Sequence, residues 1–124
     1  MDAKMADPRR EVFVFLCDGT YMMMSSKIAT SVQEGVKIII VLVDNHGFAS
    51  IGSLSRSLGQ EGFGTRYRAR NAKTGQLDGD LLRVDFAANA RSLGAHAIKA
   101  TTLNELKHAL KEAKAMDRTT VIVV

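Results

Sequence analysis

Two short, uninterrupted apolar runs, Val12-Phe13-Val14-Phe15-Leu16 and Ile38 to Val43, each stop at a polar, glycine-containing cluster. Runs of this length, rich in β-branched residues and without polar alternation, belong to strands covered on both faces, as in parallel sheets flanked by helices. Between them, Thr20 to about Glu34 has helical spacing, with Met24, Ile28 and Val32 on one stripe. Thr20 is the expected N-cap and Gly35 the stop. Farther along, Asp85 is placed to cap a helix running to Leu93, with Gly94 ending it. His96 to Ile98 reads as a third strand, Thr102 as the cap of a helix from Leu103 to Met116, and Thr119 to Val124 as a fourth strand. Leu103, Leu106, Leu110 and Ala113 form the apolar stripe of that last helix. The expected fold is therefore α/β: a three-layer parallel sheet with helices on both faces.

Residues 1–124 are read as a single domain, which is ordinary for this length. Phe48 to Gly79 is glycine-rich and irregular, with a short helix expected around Ser50 to Leu58. So long an irregular stretch in a compact domain is usually functional or mobile, and 48–79 is expected to be a mobile loop. The domain is expected to be partial, or truncated. A buried-type strand closes the chain, and Lys4-Met5-Ala6-Asp7-Pro8 has the character of a helix end.

Composition removes several function classes. The net charge of +4 comes from 17 Lys and Arg against 13 Asp and Glu, dispersed except at Arg66, Arg68 and Arg70, and aromatics are only 6%. A nucleic-acid reader usually clusters both, so nucleic acid is not an expected partner. A single cysteine, Cys17, excludes an internal disulfide and a thiolate metal cage. The N-terminus lacks the apolar core of a secretory signal, and no apolar run is long enough to span a membrane, so a cytoplasmic location is expected. Ser53, Ser55 and Ser57 have no paired His and Asp. His46 reads as a solvated turn residue, and His96 and His108 as structural or surface residues, without metal-ligand spacing. Met22, Met23 and Met24 read as core filler. Arg66, Arg68 and Arg70 fit either a flap over an oxygen-rich substrate or an exposed basic loop.

The chemistry is expected where parallel sheets bind ligands, beyond the carboxyl ends of the strands. Asp18 follows the first strand and Asn45 the second, 27 residues later, with a complete strand–helix–strand between them. Asp-Gly and Asn-His-Gly are each ordinary turns when taken singly. Together they place a carboxylate, an amide oxygen and the unhindered carbonyl of Gly47 side by side. Two phosphate oxygens would complete much of the shell of a hexacoordinate Mg²⁺ or Ca²⁺. The N-terminus of the following helix would receive the diphosphate itself.

The run Cys17-Asp18-Gly19-Thr20, ending in Asp44-Asn45-His46-Gly47, resembles the cofactor motif of thiamine diphosphate enzymes, and so implies the thiamine diphosphate-binding fold. The resemblance implies Asp18, Asn45 and Gly47 as Mg²⁺ ligands and Gly19 and Thr20 as further cofactor contacts. Thr20-Tyr21 to Gly35, Val41 to Gly52, and Gly62-Phe63-Gly64-Thr65-Arg66-Tyr67-Arg68 are similar to the trihydroxycyclohexanedione hydrolases of myo-inositol catabolism. That likeness implies a hydrolase opening a cyclic, polyol-derived diketone to 5-deoxyglucuronate, with the thiazolium of the cofactor as electron sink. It also implies a homo-oligomer. In the family the cofactor lies between two domains, and the glutamate that activates its aminopyrimidine comes from the pyrimidine-binding domain. No segment here supplies that domain, so no catalytic residue is expected in this chain and the isolated chain is expected to be inactive. One position departs from the motif: Cys17 stands where the family has glycine. This keeps open a second reading, a non-catalytic α/β binding or interaction module that has lost cofactor affinity.

Overall fold

The computed structural model describes all 124 residues. A short helix α1 (Asp2–Ala6) precedes β1 (Phe13–Cys17), α2 (Asp18–Met24), α3 (Ser26–Gln33), β2 (Ile39–Val43) and α4 (Ala49–Ser57). After the long connection come α5 (Phe86–Ser92), β3 (His96–Lys99), α6 (Leu103–Ala115) and β4 (Thr120–Val123). The four strands form one parallel sheet in the order β1-β2-β4-β3. The expected α/β architecture and its strands are all present, each within a residue or two of its anticipated limits.

The central strands β2 and β4 are covered on both faces, because successive residues of a strand point to opposite sides. Edge strand β1, expected to be covered on both faces, instead leaves Phe13 and Phe15 exposed on one. Ile40 and Leu42 of β2 turn to one side, where Tyr21 of α2, Ile28 of α3, and Phe86 and Ala90 of α5 close over them. Ile39 and Ile122 turn to the other, against Ala109 and Ala113 of α6. Small residues at those two helix positions let α6 approach the sheet closely. Ile39, Leu42 and Ile122 are completely buried, which is worth about 1.5–3 kcal/mol for each side chain. No helix is long and apolar enough to cross a membrane.

Between the layers lies a polar tie. Thr119 Oγ1 stands 2.8 Å from Ser31 Oγ, receives the Ile38 N–H at 3.2 Å and reaches the Val36 carbonyl at 3.2 Å. It joins the end of α3, the entry of β2 and the entry of β4 where no water reaches.

Four further local expectations are corrected. The helix after β1 is not continuous: it breaks at Ser25 into α2 and α3, so Met24, Ile28 and Val32 do not form one stripe and only Ile28 is buried. Thr20 is not the N-cap. The helix opens at Asp18 with Cys17 as N-cap, no side chain caps it, and Thr20 is exposed in its first turn. Met22, Met23 and Met24 are exposed rather than core filler, because the inward positions of this short helix are taken by Asp18, Gly19 and Tyr21. Leu103 likewise lies outside the α6 stripe, at its exposed first residue. By contrast, Asp85 accepts from the Ala88 N–H at 3.0 Å, and Thr102 with Glu105 forms a complete capping box.

Residues 48–79 include α4 and are tied to the turn after β2 by main-chain bonds. Gly47 bridges Arg66, and Arg68 bridges Leu81, both antiparallel. Tyr67 N–H reaches the His46 carbonyl at 3.3 Å, and Leu82 N–H reaches the Tyr67 carbonyl at 2.8 Å.

Candidate functional site

The register Cys17↔Val43 sets the ends of β1 and β2 beside each other, so the residues that follow must converge. Asp18 is fully buried, and its Oδ2 accepts the Gly47 N–H at 2.6 Å. This is a short, charge-assisted bond, and it links the two strand ends directly. The Asp44 to Gly47 turn is held by Asp44 Oδ1, which accepts the His46 N–H at 3.3 Å and also faces the His46 ring. His46 takes a left-handed φ of 63°, uncommon outside glycine, and Gly47 follows at φ 133°. His46 is an exposed turn residue, and no group of three His, Cys, Asp or Glu side chains is placed to hold a metal.

Within this turn the Asn45 amide faces two oxygens. Its nitrogen end donates to the Gly47 carbonyl at 2.9 Å and to Asp18 Oδ1 at 3.0 Å, the orientation of the amide that satisfies all three groups. Turned by half a revolution, the amide would bring its oxygen to the same place. A carboxylate, an amide oxygen and a backbone carbonyl would then face one point, about one ligand spacing apart. Metal–oxygen bonds of about 2.0–2.1 Å at right angles put neighbouring ligand oxygens about 2.9 Å apart, the separation found here. The donor set is one carboxylate and two neutral oxygens, so it suits a hard divalent cation whose remaining ligands come from outside the protein.

The backbone over this cluster has no room to spare. A Cβ on Gly19 would stand 2.7 Å from Phe48 Cδ1 and 3.1 Å from the Gly47 oxygen. A Cβ on Gly47 would stand 2.4 Å from the Thr65 oxygen. The first-turn N–H groups of α2, around Gly19 and Thr20, have no partners within the helix and carry its positive dipole end. All five residues singled out in the sequence, Asp18, Gly19, Thr20, Asn45 and Gly47, thus belong to one strand-end cluster, with Thr20 at its exposed margin.

Cys17 sits at the lip of the same turn, its Sγ 3.6 Å from Thr20 Oγ1. The Thr20 backbone N–H, aided by the Thr20 hydroxyl, holds the thiol below its usual range, against burial and the Asp18 charge. Two aromatic residues that sequence reasoning did not mark stand close by. Phe48 covers Gly19, and Tyr67 meets Phe48 edge to face at 6.0 Å. Burial first, then the charges of Asp18 and Cys17, pushes the Tyr67 hydroxyl upward. Only the return of residues 65–68 onto the Gly47 turn brings Tyr67 here, and nothing in its local sequence signals that contact.

The whole of residues 1–124 matches the family model described as thiamine pyrophosphate enzyme, C-terminal TPP binding domain. The chain belongs to this family. It is 40% identical over 122 residues to the 3D-(3,5/4)-trihydroxycyclohexane-1,2-dione hydrolase of Clostridium tetani. It is 41% identical over 122 residues to the corresponding hydrolase of Bacillus thuringiensis (strain Al Hakam). In both cases 98% of this chain is covered, but the chain spans only 19% of the relative's length. Among solved structures it is similar to the thiamine diphosphate-dependent 4-hydroxybenzoylformate decarboxylase of Rhodococcus jostii RHA1. That match has a TM-score of 0.78 and 21% identity, and covers 98% of this chain and 21% of that one. It is also similar to benzoylformate decarboxylase from Polynucleobacter necessarius, with a TM-score of 0.73 and 28% identity, over 98% of this chain and 20% of that one. The parallel sheet with helices on both faces is therefore the fold of a thiamine diphosphate-binding domain.

Proposed function

We propose that the oxygen cluster of Asp18, Asn45 and Gly47 holds Mg²⁺, and that the ion ties the diphosphate of thiamine diphosphate to the first turn of α2 at Gly19 and Thr20. The observation that carries this reading is the convergence of the Asp18 carboxylate, the Asn45 amide and the Gly47 carbonyl, the amide end lying 2.9 and 3.0 Å from the other two. A bound ion would turn the amide oxygen inward and take further ligands from two phosphate oxygens. The buried Asp18 supplies the only full negative charge, Gly47 lends a carbonyl that no side chain obstructs, and Asn45 adds a neutral oxygen. When bound, the cofactor's thiazolium supplies an electron sink for cleavage beside a carbonyl.

The names of the relatives favour one reaction, the hydrolysis of a trihydroxycyclohexane-1,2-dione. The resemblance in sequence adds 5-deoxyglucuronate as the product and myo-inositol catabolism as the setting. In this reading the chain contributes the diphosphate and metal end of the cofactor site. A pyrimidine-binding domain elsewhere in the full-length enzyme contributes the rest, within a cytoplasmic homo-oligomer, and this chain is inactive without it. Calorimetric titration of the chain with thiamine diphosphate and Mg²⁺ tests the site. Saturable binding that requires Mg²⁺ and drops at least about tenfold in Asp18→Asn supports it. A silent titration at millimolar cofactor, with the chain folded, sinks it.

One observation favours a second reading, a binding module without cofactor affinity. Cys17 puts a thiol beside Thr20, on the rim of the turn that would meet the diphosphate. Binding by Cys17→Gly, but not by the native chain, would establish that reading.

A further inference from the structure

A cavity of about 670 Å³ lies across the Gly47–Arg66 bridge from the candidate site and shares none of Asp18, Gly19, Thr20, Asn45 or Gly47. Its lining is mainly polar, with Phe63 and Leu77 the only hydrophobic side chains. Arg56, at the end of α4, and the alternate residues Arg66 and Arg68 all line it. Residues two apart on an extended segment project to the same side, which is why Arg66 and Arg68 share the cavity and Tyr67 turns away toward Phe48. None of the three guanidinium groups is ion-paired, although Glu61 and Asp78 line the same cavity. Arg56 donates to Ser53 Oγ at 3.3 Å and Arg68 to the Gly79 carbonyl at 2.8 Å, both neutral acceptors, and Arg66 makes no side-chain hydrogen bond. The Asp78 carboxylate is engaged by the Thr74 hydroxyl at 2.9 and 3.0 Å.

Unpaired guanidinium forks are built to hold a carboxylate. Nearby carboxylates and an amide, here Glu61, Asp78 and Gln76, accept from and donate to hydroxyl groups. A ligand that meets both demands is a polyhydroxylated acid. We infer that this cavity is a subsite for a six-carbon sugar acid, its carboxylate held by Arg66 and Arg68 with Arg56 nearby.

The inference deepens the proposed function and rests on it for the ligand's origin. Hydrolysis of a 1,2-dione breaks the bond between two carbonyl carbons. The hydroxyl of water joins one carbon, which becomes a carboxylic acid and ionises. The proton of water joins the other, which becomes an aldehyde. A neutral ring thereby becomes an open-chain acid that keeps its hydroxyls, and the arginine cavity discriminates between the two by charge.

The test uses D-glucuronate as probe, titrated into the chain by calorimetry with no cofactor or metal present. Glucose serves as the neutral control and inorganic phosphate as the alternative anion. Saturable glucuronate binding is expected, weakened by salt and absent for glucose. Arg66→Gln and Arg56→Gln, both exposed positions, should each weaken it about tenfold, the loss typical of one charge-assisted contact. Arg70→Gln, outside the cavity, should leave it unchanged. Circular dichroism confirms that each variant is folded. No glucuronate binding by the folded chain, equal binding of glucose, preference for phosphate, or indifference to both cavity substitutions overturns the subsite. If glucuronate binds while the thiamine diphosphate titration is silent, the cofactor reading fails and the carboxylate site stands. The reverse pattern removes the carboxylate site alone.

Discussion

Gly47 offers the most direct trial of the physical account, because two separable costs meet at one residue. A methyl group there would lie 2.4 Å from the Thr65 oxygen and 2.9 Å from the Arg66 Cα, both backbone atoms that cannot swing aside, at a φ of 133°. The left-handed backbone costs an L-residue about 1–2 kcal/mol. Forcing extra volume into a packed site adds about 1–3 kcal/mol. Gly59 provides the control: its φ is 80°, yet nothing lies within 4 Å of an added Cβ. Both alanines also stiffen the unfolded chain, by a similar increment of about 0.4–1 kcal/mol, which cancels in the comparison. Gly59→Ala should therefore cost about 1 kcal/mol or less, and Gly47→Ala about 1–3 kcal/mol more, the difference coming from the overlap with residues 65 and 66 and from a φ farther from the left-handed basin. Urea unfolding followed by circular dichroism measures both, provided the slopes agree so that the midpoints compare directly. If the two variants lie within about 0.5 kcal/mol of each other, the close approach of the Gly47 turn to residues 65 and 66 is wrong. Gly47→Ala should also abolish Mg²⁺-dependent cofactor binding, because the carbonyl it displaces is one of the three oxygens.

Thr119→Val keeps the shape of a buried side chain but leaves the Ile38 N–H without its acceptor and the Val36 carbonyl without the Thr119 donor, while Ser31 still donates to the Ile28 carbonyl; it should cost about 2–3 kcal/mol in urea unfolding, and Thr119→Ser clearly less. Thr102→Ala removes the capping box of α6 and should cost about 1 kcal/mol by the same measurement, whereas a neutral result would mean that Glu105 alone satisfies the helix end. The Ala88 N–H, then Lys99 at 3.1 Å, holds the Asp85 carboxyl below its ordinary value of 3.8. A carboxylate depressed in the folded state stabilises above its unfolded pKa, and that contribution is lost as pH falls through the folded value. Stability measured against pH should thus fall on the acid side of 3.8, and Asp85→Asn should flatten part of that fall; an unchanged acid limb would contradict it.

How far the sequence disclosed the molecule follows from what each signal depends on. The strands were legible because Ile38 to Val43 and its neighbours are apolar at nearly every position, a pattern that marks a strand even where one face stays open, as at Phe13 and Phe15. The caps at Asp85 and Thr102 were legible because they act within one helical turn. The break at Ser25 was not, since no glycine or proline marks it and it arises from how α2 and α3 each dock on the sheet. For the same reason the methionines after Tyr21 read as core and proved exposed. At the site, Asp18 and Asn45 were readable as strand-end residues one helix apart. The return of Thr65 to Arg68 across the Gly47 turn, which brings Phe48 and Tyr67 to Gly19 and Asp18, depends on tertiary closure of an irregular segment and carries no periodic signature.

The Asn45 amide has one more consequence. Its oxygen and nitrogen ends are nearly the same size, so a half-turn about its last bond exchanges an acceptor for a donor without moving any other atom. Turned one way, it stitches the Asp18 carboxylate and the Gly47 carbonyl together; turned the other way, it offers all three oxygens to an ion. The passage between these states is the flip of one side chain, not the refolding of a loop. Taking up a cation at such a turn would therefore need no rearrangement of the backbone, and the scaffold would look alike in either state.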